Sequence, residues 1–181
     1  MTSPSQTERR PIELPEVPDR VRAWIGEPLI EDHGEFEIER GYIATSCASV
    51  ENGNPLYWDD DVARSITGGP IAPPSMLSVW LRPHHWAPGR PEERLPLEMH
   101  FRLKRDLELP EAIIADNELS FGEPVRPGDR LRSVQTLRSI SEPRTNKLGT
   151  GRFWVIEVEY RNQRDEWVGT ESYNCFGYRR S

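Results

Sequence analysis

A short apolar segment bounded by prolines constrains the fold of this chain more than any other feature. In "APPSMLSVWLRP", Pro73 and Pro74 stand where a first helical turn tolerates proline, and Pro83 acts as a stop. Little polar face is left by the residues between them, which are Met76, Leu77, Val79, Trp80 and Leu81. A helix that is apolar nearly all round is normally buried. The sequence therefore predicts a buried helix over residues 74–82.

Helical patterns occupy the first half of the chain, and strand-like patterns occupy the second half. We expect a short helix capped by Asp19, a longer helix from Glu37 that stops at Asn52, and a third helix capped by Asp59. Five strand-like segments follow, at residues 99–106, 113–122, 130–141, 151–161 and 166–179. Because one face of a curved sheet can bury an apolar helix, the predicted class is α+β. Its expected architecture is an antiparallel β-sheet wrapped around a central α-helix.

Composition limits the expected partners and location. The 181 residues carry a formal net charge of −7, which argues against a general affinity for the nucleic-acid backbone. No apolar run approaches the ~18 residues that a membrane helix needs, so no membrane partner is expected. The first residues lack the apolar core of a secretory signal, and the expected location is cytoplasmic.

The ends of the domain and the two cysteines give further expectations. Residues 1–18 are rich in Pro, Glu and Ser and are expected to form a flexible arm, with a single domain over residues 19–181. Cys47 and Cys175 lie far apart and are expected to be structural thiols. No cluster of His, Cys or Asp has metal-ligand spacing, so no metal site is expected.

Four stretches in a characteristic order carry a resemblance to a known family. They are "NPLYWDDDVAR…GGPIAPPSML", "FGEPVRPGDRL", "KLGTGRFWVIEVEY" and "NQRDEWVGTESYNCFGYR". Over roughly residues 20–179 the chain resembles MaoC-like acyl dehydratases and enoyl-CoA hydratases, and more narrowly their N-terminal, FAS1-type dehydratase half. The resemblance implies a hotdog fold that works in pairs, with a catalytic MaoC-like hotdog subunit or a second copy as the partner. It also implies hydration of a trans-2-enoyl thioester, or dehydration of a 3-hydroxyacyl thioester, without a cofactor.

The expected substrate site follows from the same resemblance. The substrate is an acyl-CoA or an acyl-carrier thioester, whose acyl chain enters a tunnel beside the central helix. CoA or the acyl-carrier arm lies at the interface between two hotdogs. The substrate-binding residues expected in this chain are Tyr57, Trp58, Pro73, Met76 and Trp80.

The catalytic motif of the family is degenerate in this chain. The motif is an Asp, one spacer, Asn-Pro, an aliphatic residue and a His, in which the Asp and the His hold and activate the water. Asn54, Pro55 and Leu56 match, but Asn52 replaces the Asp and Tyr57 replaces the His. An amide cannot exchange a proton near pH 7, nor can a phenol of pKa about 10. Since a well-placed acid or base contributes ~10²–10⁴-fold in rate, the chain is expected to depend on a partner for catalysis.

Alternative explanations exist for several of these residues. Asn52 and Tyr57 could be ordinary turn residues, since Asn-Gly and Asn-Pro favour turns. Glu51 or one of the acids at 59–61 could replace the missing base, although the start of a surface helix explains the three Asp more simply. His84 and His85 are not both expected in one site, because neighbouring strand residues point to opposite faces. His100 is expected to be a strand residue.

Three functions are compatible with the sequence. The preferred one is the non-catalytic hotdog of an enoyl-CoA hydratase, which in this family supplies a wider pocket for bulky fatty or steroid side-chain acyl groups. The second is a stand-alone hydratase or thioesterase with a substituted site, and the third is an acyl-thioester binding protein without chemistry. "GGPIAPP" lacks the phosphate-loop pattern. Its helix start could polarise a thioester carbonyl, although Pro73 and Pro74 remove two N–H donors.

Overall fold

An antiparallel sheet of six strands forms the centre of the computed structural model, which describes residues 12–82, 86, 88–89 and 95–180. The strand order is β1-β3-β5-β6-β2, and β4 pairs with β5. The strands are β1 (Pro28–His33), β2 (Glu111–Phe121), β3 (Leu131–Ile140), β4 (Arg144–Asn146), β5 (Gly149–Asn162) and β6 (Trp167–Arg179). The helices are α1 (Asp19–Arg22), α2 (Arg40–Ser49), α3 (Asp60–Thr67) and α4 (Glu98–Asp106), with 3₁₀ helices at Pro55–Tyr57 and Pro74–Val79. None of the described helices has the length and apolar character to span a membrane.

Four of the five predicted strands are confirmed as β2, β3, β5 and β6. The sequence analysis missed β1, since only Ile30 of this edge strand is buried and its sequence, "PLIEDH", lacks a run of apolar residues. Long alternating patterns are recognisable in β5 because its alternate residues face the core. A short polar edge strand offers no such pattern.

The predicted strand at 99–106 is wrong, because these residues form helix α4. Met99 and Leu103 are fully buried, and their spacing of four residues places them on one helical face. In a strand, Phe101 would have shared their face, but it is exposed. His100 is therefore a helix residue.

The predicted helix over 74–82 is shorter than expected and is a 3₁₀ helix that ends at Val79. Pro73 and Pro74 lack the N–H groups of a first turn, and the residue before Pro83 is disfavoured in the α conformation. The expected burial is confirmed for Met76, which is 3% exposed. The α-helix that packs on the sheet is instead α4.

One face of the sheet carries the core. Strand register places Leu137, Ile156 and Cys175 on this face, which also holds Trp154. The Trp154 ring lies 5.5 Å from that of His100 on α4. Gly177 leaves the room that Trp154 fills, since a Cβ there would lie 2.2 Å from its ring. The second 3₁₀ helix packs on the same face, where Leu77 contacts Gly169.

The N-terminal segments differ in detail from the sequence analysis. Residues 1–11 of the predicted arm lie outside the described residues, whereas in the part described Val17 is buried and the carbonyl of Pro15 accepts a hydrogen bond from Arg152. Pro18 precedes α1, so Asp19 is its first residue and not its cap. Asp59 caps α3 as predicted.

Candidate functional site

The loop at residues 52–58 forms a turn that its own side chains hold together. The Asn52 side chain accepts a hydrogen bond from the amide of Asn54 (3.1 Å), and the Asn54 side chain accepts one from the amide of Leu56 (3.1 Å). The Trp58 indole donates to the carbonyl of Asn52 (2.7 Å). The side chain of Asn52 therefore serves the turn, as the alternative explanation of this residue expects.

Tyr57 closes this loop against the core. Its half-buried side chain packs on the core cluster, whereas Trp58 is 47% exposed. Burial, and then the proximity of Cys47, raise the pKa of Tyr57 above its ordinary value. Its hydroxyl therefore stays protonated at neutral pH and can donate a hydrogen bond, but it cannot act as a base.

The acids near the loop already have structural partners. Asp59 caps α3 by accepting hydrogen bonds from the amides of Asp61 and Val62. Asp60 is ion-paired with Arg40, whose hydrogen bond lowers the pKa of this carboxyl. Asp61 is ion-paired with Arg64. A helix start therefore accounts for all three Asp.

The start of the second 3₁₀ helix offers few backbone donors. Pro73 and Pro74 have no N–H groups, the amide of Ala72 donates to Val125 (2.7 Å), and that of Met76 donates to Pro73 (2.9 Å). A pair of adjacent free N–H groups, as an oxyanion hole requires, is not formed by these residues.

Arg126 holds the glycine-rich segment that leads to this helix, a role that the sequence analysis missed. Its guanidinium donates to the carbonyls of Thr67 (2.5 Å) and Gly69 (3.1 Å). Gly68 and Gly69 have φ angles of 74° and 152°, which favour glycine. Gly68 and Gly69 therefore allow the backbone to adopt the positive φ angles of this turn.

Two small cavities lie beside the second 3₁₀ helix. The first, of about 90 Å³, is apolar and is lined by Ile71, Pro73, Pro74, Leu77, Phe121 and Val168, among others. The second, of about 80 Å³, is polar, and its lining includes Asp32, Ser78, Ser133, Gln135, Tyr160 and Tyr173. We call them the apolar cavity and the polar cavity.

The polar cavity is backed by a buried carboxylate. Glu171 is 5% exposed and accepts hydrogen bonds from the Tyr160 hydroxyl (3.2 Å) and the Asn117 amide (2.9 Å). Burial, and then the proximity of Glu171, raise the pKa of Tyr160. Burial, and then a hydrogen bond to Glu171, raise that of Tyr173. Both hydroxyls stay protonated at neutral pH.

The predicted substrate-binding residues are not all brought together. Pro73 lines the apolar cavity, but neither cavity is lined by Tyr57, Trp58, Met76 or Trp80. Trp80 is half-buried and packs edge-on against Tyr42, with ring centroids 5.4 Å apart. The binding roles of these residues stay predictions.

Among the residues that the structure describes, the histidines do not provide an acid–base group that could replace the missing pair. His84 and His85 lie outside them. Burial, and then Lys104, lower the pKa of His100 to about 4, so its ring is neutral at neutral pH. Within residues 12–82, 86, 88–89 and 95–180, no three His, Cys, Asp or Glu side chains are grouped to hold a metal ion.

Comparison with known proteins identifies the family. The sequence profile of the FAS1-like dehydratase domain region matches residues 23–171. The chain belongs to this family. The "Probable enoyl-CoA hydratase alpha subunit" of Thermomonospora curvata is 30% identical over 164 residues, which cover 88% of this chain and 51% of that protein. The chain thus spans about half the length of this relative.

Solved structures confirm the fold of this chain. The ChsH1-ChsH2 complex of Mycobacterium tuberculosis contains a chain with a TM-score of 0.74 and 21% identity, covering 90% of this chain and 89% of that one. A MaoC-like dehydratase of Rhodospirillum rubrum has a TM-score of 0.58 and 21% identity, and the match covers 87% of this chain and 94% of that one. The predicted MaoC-like hotdog is therefore confirmed.

Proposed function

We propose that this chain is the non-catalytic subunit of an enoyl-thioester hydratase, and that a catalytic hotdog partner supplies the Asp and the His. One observation carries the proposal. The loop at 52–58 keeps a hydrogen-bonded turn, yet an amide and a protonated phenol stand where the family has its proton-transfer groups. Such a loop can shape a site, but it cannot cycle a proton near pH 7.

The apolar cavity is the acyl-binding position in this proposal. Its lining is almost entirely apolar, and it lies at the start of the second 3₁₀ helix, between Pro73 and Val168. Burial of an acyl chain there contributes ~0.8 kcal/mol for each methylene group. The substrate class is an acyl-CoA or an acyl-carrier thioester, for which bulky fatty or steroid side-chain acyl groups are the first candidates to assay.

The outer edge of β2 is the proposed contact with the partner. This strand is at one end of the sheet, and its residues Ile113, Ile114 and Phe121 are largely exposed. An unpaired edge with apolar side chains readily adds another strand. Phe121 also lines the apolar cavity, so a partner on this edge would border the bound acyl chain.

Two comparisons support a subunit role. The curated relative is named an alpha subunit, and the similar solved chain belongs to a complex of two differently named proteins. A second copy of this chain is the alternative partner. Light scattering of the purified chain distinguishes the two, because a heteromeric subunit gains mass only when the other chain is added.

The decisive experiment assays enoyl-CoA hydration by the chain alone, by a candidate partner hotdog protein that carries the intact Asp–x–Asn–Pro–x–His motif, and by both together. We expect no turnover by this chain alone and turnover by the complex. Replacing the Asp of the partner should abolish that turnover. Phe121→Ala should change the preference for acyl-chain length, whereas the matched control Phe36→Ala, at a separate exposed position, should not.

The alternative of a stand-alone hydratase or thioesterase is tested in the same assay. Robust turnover by the chain alone, lost on Glu51→Gln, would overturn the non-catalytic role. Asn52→Asp with Tyr57→His returns the two proton-transfer groups to the turn. If the turn is kept, the double variant gains hydration activity of its own, at most ~10²–10⁴-fold over the unmodified chain.

A further inference from the structure

Arg126 joins two backbone segments that line the apolar cavity. The first wall is formed by residues 71–74, and the second by residues 121–125 at the end of strand β2. We infer that Arg126 is a positioning residue that holds these walls together and so limits the width of the acyl group that the cavity accepts. This inference rests on the proposed function, since it takes the apolar cavity to be the acyl-binding position.

The side chain of Arg126 reaches from the second wall to the start of the first. The residue directly follows Val125, which lines the cavity. Its guanidinium donates to the carbonyls of Thr67 (2.5 Å), Gly69 (3.1 Å) and Pro70 (3.4 Å), which lead into the first wall. A guanidinium presents its N–H donors in a rigid planar fork, so one side chain can hold several carbonyls in place at once.

The backbone that bears Arg126 is itself anchored. The amide of Arg126 donates to the carboxylate of Asp129 (2.8 Å), which is 3% exposed and also accepts from the side chain of Gln163 (3.0 Å). The second wall is tied to strand β6 as well, because the amide of Gly122 donates to the carbonyl of Val168 (3.1 Å). The second wall is therefore the fixed side against which Arg126 holds the first.

A glycine pair before the first wall gives it a hinge. Gly68 has a φ angle of 74°, and a Cβ built there would meet no atom within 4 Å, so the chain has room to turn at this point. Glycine also has the widest choice of backbone conformations. Beyond the hinge, the amide of Ala72 donates to the carbonyl of Val125 (2.7 Å) and links the two walls directly. Movement of the first wall away from the second would break this bond and the contacts of Arg126.

The size of the apolar cavity makes the distance between its walls matter. Its volume of about 90 Å³ exceeds the ~30 Å³ that one water occupies, so it holds a few carbon atoms of a narrow chain. A ring-bearing acyl group needs more width, and its binding includes the free energy of separating the walls. Because the contacts of Arg126 oppose that separation, they disfavour wide acyl groups and leave narrow ones unaffected.

Two enoyl-CoA probes test the inference: crotonyl-CoA, with a short unbranched chain, and cinnamoyl-CoA, which carries a phenyl ring. Calorimetry measures their dissociation constants for the full chain, alone and with a partner whose catalytic Asp is replaced to prevent turnover. Arg126→Met keeps an unbranched side chain but removes every donor. We expect cinnamoyl-CoA to gain about fivefold in affinity relative to crotonyl-CoA, the equivalent of one net hydrogen bond. The matched control Arg130→Met removes a guanidinium that is ion-paired with Glu37 and should leave the ratio unchanged.

The ratio of the two dissociation constants separates this role from a purely structural one, since partial unfolding weakens the binding of both probes alike. Arg126→Lys keeps the charge but not the planar fork, and it repeats the test if Arg126→Met does not fold, with a smaller change in the same direction. An unchanged or reversed ratio in a folded Arg126 variant, with both probes still binding to the unmodified chain, would overturn this inference alone. Failure of both probes to bind to the unmodified chain, even with the partner present, would overturn the proposed function and this inference with it.

Discussion

His100 on α4 makes the stability of the fold depend on pH. Its ring packs near Trp154, and its Nδ1 atom is buried without a hydrogen-bond partner among the residues described. Burial, and then Lys104, lower the pKa of His100 from 6.5 to about 4 in the folded chain. The unfolded chain therefore takes up the proton first as the pH falls. The stabilisation is fully present above pH 6.5 and is lost as the pH falls from 6.5 towards 4.

The size of this effect follows from the two pKa values of His100. The interval from 6.5 to about 4 corresponds to about 3 kcal/mol when it is fully crossed. At pH 5 the unfolded chain is almost fully protonated at this position, whereas the folded chain is mostly not, so about 2 kcal/mol is lost. The partial exposure of the ring makes these values upper limits.

The test compares urea unfolding of wild type and His100→Phe at pH 7.5 and pH 5. Phenylalanine keeps an aromatic ring at this position but does not titrate, so the variant should lose about 2 kcal/mol less stability over this pH interval. His33→Phe is the matched control, since the His33 side chain is 70% exposed. Equal losses for wild type and His100→Phe would refute the argument that burial of this imidazole controls its protonation.

Three further changes test packing and assembly. Gly177→Ala should lower the free energy of unfolding by about 1–3 kcal/mol, because the new Cβ would lie 2.2 Å from the Trp154 ring; unchanged urea unfolding would contradict this. Leu103→Ala should lower the free energy of unfolding by about 2–5 kcal/mol, and Phe101→Ala should lower it less, because Leu103 is fully buried and Phe101 is exposed. If the two variants lowered the melting temperature equally, the assignment of these residues to helix α4 would be contradicted. Ile114→Lys at the β2 edge should weaken assembly with a partner without altering the unfolding of the chain, as light scattering and thermal melting can show.

The sequence by itself determined the strands whose side chains alternate over a long distance. In β5, Trp154, Ile156 and Val158 recur every second residue, and this period identifies a strand with one face in the core. The order of motifs likewise indicated the family, and Asn52 and Tyr57 predict that this chain lacks the acid–base pair of the family motif. Both kinds of information are local or depend on order along the chain, so they need no coordinates.

Only the tertiary structure decided where the helices and the cavities lie. A spacing of four residues places Met99 and Leu103 on the same face in either a strand or a helix. Only the helix explains why both are buried while Phe101, midway between them, is exposed. The polar cavity was not predicted, because Ser133 and Tyr160 belong to different strands and are brought together by strand pairing. A buried cavity depends on contacts between residues distant in sequence, and no local pattern of residue types encodes those contacts.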